Sequence, residues 1–131
     1  MTAAAAAKTA ERRLLTIREA AAETGVTAHT LRYYERIGLA RPVSRAKSGH
    51  RRYAPDDVRW VVFLRRLHDT GIPIRRMLEY ARLARKGDAG AAARRALLLE
   101  HQREIQSRLA QLTSTLDVIE RKLALYDTGS K

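Results

Sequence analysis

His29, Arg32, Tyr33 and Arg36 stand at i, i+3, i+4 and i+7. On a helix those four side chains share one face, while Leu31 and Ile37 lie away from it. Such a face suits nucleic acid. A guanidinium can grip the O6 and N7 edge of guanine, and Arg, Tyr and His together can hold phosphates and sugars. Arg51, Arg52 and Tyr53 form a second basic and aromatic group, and Arg65 and Arg66 a third. The charge gathers around them. Residues 27–76 hold twelve Lys/Arg against four Asp/Glu, so +8 of the chain's +12 lies in that block. Solubility does not require such clustering; a polyanionic partner explains it.

Other chemistries find no footing. The chain has no cysteine, which excludes disulfides, zinc fingers and thiolate sensing. His29, His50, His68 and His101 are scattered, so no metal site and no cofactor is expected. Glu35, Asp56, Asp57 and Asp69 read as local structural residues, and no phosphate loop or nucleophile constellation appears, so the chain is not read as an enzyme. Met1–Arg13 is alanine-rich but broken by Lys8, Glu11, Arg12 and Arg13, too weakly apolar for a signal peptide. Residues 1–13 are read as a disordered tail. No run approaches the roughly 20 apolar residues of a membrane span, and a cytoplasmic location is expected.

The elements that must position these residues can be placed from local signals. Thr16-Ile-Arg-Glu19 fits a capping box at a helix start, and Gly25 suits a left-handed helix end. Thr27 is an N-cap for the second helix, which carries the basic face and ends at Gly38. Helix, tight turn, helix is the geometry that seats a recognition helix in the major groove. Pro42 stops further helix; Ala40–Val43 and Arg51–Tyr53 are expected as strands joined by the basic turn 44–50, a wing. Strand alternation puts Arg51 and Tyr53 on one side and Arg52 on the other, leaving open which arginine reaches DNA. Pro55-Asp56-Asp57 starts a third helix, Gly71-Ile-Pro73 breaks it, and Ile74–Arg85 forms a fourth. Trp60 is expected to pack in the core rather than stack on a ligand.

From residue 105 the pattern changes. Ile105, Leu109, Leu112, Leu116, Ile119, Leu123 and Tyr126 are spaced 4, 3, 4, 3, 4, 3. That heptad seam needs a partner helix, and a second copy of the chain is the simplest one. Leu at a with Ile at two of the four d positions disfavours a parallel two-stranded coil, and an antiparallel pairing escapes that preference. The expected fold is mainly α: a winged helix-turn-helix domain with a small β-hairpin wing over 14–85, then a long C-terminal coiled-coil dimerisation helix over 91–127.

This order resembles the MerR family of bacterial transcription regulators. The match rests on Thr16-Ile-Arg-Glu-Ala-Ala21, Gly25-Val-Thr27, Leu31-Arg-Tyr-Tyr-Glu-Arg-Ile-Gly-Leu39, Arg51-Arg-Tyr53 and Leu67-His-Asp-Thr-Gly-Ile-Pro73. It implies an antiparallel homodimer that binds and distorts double-stranded promoter DNA so that RNA polymerase can engage it. Carried over by position, Arg32 and Tyr33 would contact the major groove and backbone. Arg51 and Arg52 would serve the wing, Tyr53 would brace it or touch phosphate, and Arg65 or Arg66 would add phosphate contacts. The resemblance leaves the inducer open between a small organic molecule near the dimer interface and none at all. Activation and repression are equally open. The competing reading is an architectural DNA-binding protein with little sequence preference.

Overall fold

The structure, a computed structural model, describes residues 14–129; the tail expected over 1–13 lies outside them. Helix α1 (Ile17–Thr24) begins with both halves of its capping box in place. The Glu19 N–H donates to Thr16 Oγ1 at 3.2 Å, and the Thr16 N–H donates to Glu19 Oε1 at 3.0 Å. It ends at Gly25, whose φ of 73° is open to glycine at little cost. Helix α2 (Ala28–Arg36) starts on Thr27, whose hydroxyl accepts from the Thr30 N–H at 3.1 Å. Only the few residues around Gly25 separate the two helices. The Tyr34 carbonyl then ends α2 by accepting from the N–H groups of Leu39 and Ala40, at 2.9 and 3.0 Å.

The wing differs in register from the sequence expectation. Its strands are β1 (Ser44–Arg45) and β2 (Arg51–Arg52), antiparallel, with Ser44 opposite Arg52 and Arg45 opposite Arg51. Ala40–Val43 is not a strand. Pro42 has no N–H to offer a ladder, and the Ala40 N–H is already spent on ending α2. The turn sets the register: Ala46 N–H donates to His50 O and Gly49 N–H to Ala46 O, both at 2.8 Å. Beyond β2, Tyr53 exchanges two 2.8 Å backbone hydrogen bonds with Leu15, so the segment before α1 is tied to the wing's root.

Helix α3 (Pro55–Asp69) has proline at its first position, and Asp57 Oδ2 accepts from the Ala54 N–H at 2.9 Å. Helix α4 (Ile74–Ala84) follows the Gly71-Ile-Pro73 break. A 3₁₀ turn (Gly87–Gly90) closes the first of two compact units, which divide between Gly90 and Ala91. In that unit α1 lies against α2 and α3. Ala20, Leu31, Tyr34, Leu39, Val61 and Leu64 are buried there. Trp60 is half-buried: its indole N–H donates to Leu39 O at 3.0 Å and its ring stacks on Tyr80 at 5.9 Å. The second unit contains helix α5 (Ala91–Asp127), unbroken over 37 residues.

Candidate nucleic-acid interface

One face of α2 carries the expected side chains. Thr27, His29, Arg32, Tyr33 and Arg36 are all exposed, while Leu31 and Tyr34 on the opposite side are only 2% and 5% exposed. Burial of that pair fixes the rotation of the helix, so the basic face must point outward. The Arg36 guanidinium lies over the Tyr33 ring, 5.5 Å from its centroid. This contact orders both side chains without neutralising the charge.

The wing stands beside this face. A groove of about 280 Å³ is lined by Arg32 from α2, by Arg45, His50, Arg51 and Arg52 from the hairpin, and by Thr16 at the start of α1. Residues far apart in the chain thus converge on one strongly cationic channel.

Within it the arginines differ in freedom. Glu35, on α2, accepts from Arg51 Nε at 2.8 Å and lies 3.4 Å from an Arg45 guanidinium nitrogen. Arg45 also donates to the Gly49 carbonyl at 3.1 Å. Arg52, on the other side of β2, donates to the Arg51 carbonyl at 3.0 Å. Along β2, Arg51 turns toward α2 and Tyr53 is buried, while Arg52 is half-buried and borders the groove beside Thr16 and Ile17. Tyr53 itself is 3% exposed, and its hydroxyl has no hydrogen-bond partner among the described residues. A group so enclosed braces the wing; contact with a phosphate would require the wing to move.

Arg65 and Arg66 also part company. Arg65 donates to the Thr24 carbonyl at 3.2 Å and lies 3.4 Å from Asp69. Its guanidinium fills the space where a Cβ at Gly25 would sit. Arg65 and Arg66 are both exposed, but Arg65 is engaged in closing α1 against α3. Sequence reading missed Glu35 and Arg45 as a pair of anchors. An acid inside a basic block was the available signal, but no local spacing rule joins residues 35, 45 and 51.

The family described as MerR HTH family regulatory protein matches residues 15–82. The chain belongs to the MerR family. The HTH-type transcriptional regulator AdhR of Bacillus subtilis is 37% identical over 91 residues, covering 70% of this chain and 65% of that protein. An HTH-type transcriptional regulator of Haemophilus influenzae is 32% identical over 111 residues, covering 85% of this chain and 82% of that one. Among solved structures, a MerR family transcriptional regulator from Listeria monocytogenes superposes with a TM-score of 0.80 at 38% identity, covering 87% and 86% of the two chains. HiNmlR, a MerR family regulator lacking the sensor domain and solved bound to promoter DNA, gives 0.79 at 31%, covering 89% of this chain and 96% of that one.

The second unit of this MerR-family chain presents the heptad seam to solvent. Leu109, Leu112, Leu116, Ile119, Leu123 and Tyr126 are each about half exposed or more, and Ile105 is half-buried. Val118 and Leu125, seven residues apart, are 57% and 45% exposed and lie on another face of the helix, off the heptad seam. Among the described residues no helix is long and apolar enough to cross a membrane, and no three His, Cys, Asp or Glu cluster as a metal site.

Proposed function

We propose that this MerR-family regulator acts as a homodimer that binds a pseudopalindromic promoter site and distorts it. The observation that carries the reading is the convergence of Arg32 with the wing arginines on one groove beside the exposed face of α2. Arg32, Tyr33 and Arg36 supply major-groove and backbone contacts, with His29 and Thr27 at the helix start. Arg52 and Arg66 reach phosphates, Arg51 and Arg65 position the elements, and Tyr53 braces the wing. The seam from Ile105 to Leu123 pairs with the same seam of a second copy, antiparallel, and fixes the separation of two reading heads. HiNmlR's solved complex with promoter DNA supports this assignment.

Distortion of the duplex would bring promoter elements into register for RNA polymerase, and the contacts would offset the deformation energy. The protein would work in the cytoplasm and catalyse nothing. A cavity of about 370 Å³ lined by Val43, Tyr53, Trp60, Val61 and Ala84 lies between the segment leading into the wing and α3–α4. A small organic effector there would press on the root of the wing.

The test is selection of bound fragments from genomic DNA, followed by affinities for the selected site and for random duplex at physiological salt. Operator recognition predicts a preference of at least about 10³-fold. Comparable affinities would favour the architectural reading, which the concentrated positive charge alone also supports.

A further inference from the structure

Glu35 is an anomaly in a surface built to meet phosphates. It lies on the recognition helix, with its side chain 13% exposed, and its carboxylate reaches both strands of the wing: Arg51 at 2.8 Å and Arg45 at 3.4 Å. The two arginines are register partners across the hairpin. One carboxylate thus ties α2 to both strands at the same level of the ladder. Its exposure allows no water shell to replace the pair cheaply, and the Arg51 side chain is itself only 23% exposed. Exposed ion pairs contribute little, but one with both partners mostly covered is screened far less.

We propose that Glu35 is a specificity-determining positioning residue, which withholds two wing arginines from indiscriminate phosphate contact and fixes the wing's angle to the recognition helix. Non-specific affinity grows with each phosphate a cation can neutralise, whatever the sequence. Specific affinity needs the base-reading side chains and the phosphate contacts in one register. An acid that holds Arg45 and Arg51 lowers the first quantity and protects the second. Only the ratio of the two affinities gains from it. This inference rests on the operator-binding reading above.

The experiment measures, for the full chain, affinity against salt on its selected operator and on random duplex. Glu35→Gln keeps the shape and removes the charge. Random duplex should then bind more tightly, with a salt slope steeper by about one to two, because released guanidinium groups meet phosphates. The operator-to-random ratio should fall by about tenfold or more. Glu35→Asp, which keeps the charge but shortens the reach, should lower the ratio by less.

Arg51→Gln serves as a second variant should Glu35→Gln fold poorly. It should lower the ratio while leaving the random-duplex salt slope unchanged, because this guanidinium is held by the carboxylate. A slope reduced by about one would mean that Arg51 already sits on phosphate, and would overturn the proposal. Parallel loss of both affinities in Glu35→Gln, or an unchanged ratio, would overturn it too. A wild-type chain that itself shows no preference for any duplex would sink the operator reading and this proposal together, whereas a specific wild type with an insensitive Glu35 sinks the proposal alone.

Discussion

Arg32 faces outward on α2 and also borders the wing groove, so its guanidinium can reach a base edge while its neighbours take phosphates. Arg32→Ala should cost about 1–3 kcal/mol of operator affinity and relax preference at one position per half-site. Quantitative binding to single-base operator variants checks this; an unaltered preference would remove Arg32 from the reading set. Gly25 tests the frame rather than the contact. Its φ of 73° strains any residue with a Cβ, and that Cβ would meet the Arg65 guanidinium that donates to Thr24. Gly25→Ala should destabilise the fold by about 1–3 kcal/mol, read by urea unfolding. Tyr34 and Tyr53 give a pH signature. Burial is the main cause that raises both phenols above their ordinary value, with Asp69 adding to the effect on Tyr34. Both stay protonated in the folded chain where the unfolded chain ionises. Their contribution is complete below the ordinary phenol value and is lost as pH rises toward the folded value. Melting temperature should therefore hold through neutral pH and drop in strong alkali, and Tyr34→Phe should flatten that limb.

At the scale of elements, the starts of α1, α2 and α3 depend on short-range acceptors, and those were legible in the sequence. Thr16 with Glu19 and Thr27 act within three residues, which is why spacing alone located them. Asp57 does two tasks. It accepts from the Ala54 N–H at 2.9 Å to open α3, and it lies 3.4 Å from Arg41 in the chain leading to the wing. Asp57→Ala should lower stability by about 0.5–2 kcal/mol, the usual range for loss of a helix N-terminal acceptor. Calorimetry decides it, and an unchanged melting temperature would refute the assignment. The first wing strand starts later than the expected Ala40–Val43, because no ladder can use the Ala40 N–H. It goes to Tyr34, and the hairpin turn then places pairing at Ser44. The bridge between Leu15 and Tyr53 joins residues 38 positions apart, and nothing local announces it.

For the whole molecule the governing quantity is the exposed seam. Helix α5 would extend roughly 56 Å at 1.5 Å per residue. Leu109, Leu112, Leu116 and Leu123 are 55–68% exposed along it. Burying a leucine contributes about 1.5–3 kcal/mol, so a second copy gains from covering the row. Leu116→Asp places a charge in the middle of that row. Sedimentation at micromolar concentration should show a monomer. Operator affinity should fall by about 10² or more, because the second half-site loses its effective concentration. A variant that remains dimeric would exclude this seam as the interface.

Sequence alone established most helix starts and stops, from capping residues, glycine and proline, and the outward basic face of α2 and the heptad seam, from periodicities of three to seven residues. Those patterns record how a chain meets its own near neighbours. Tertiary structure decided what the arginines do: Arg51 bound to Glu35, Arg65 to the Thr24 carbonyl, Tyr53 enclosed. Their partners lie 16 to 41 residues away, and only the packed fold sets such distances. Charge can be counted along a chain; whether a given charge is free to meet a phosphate depends on which groups folding has brought beside it.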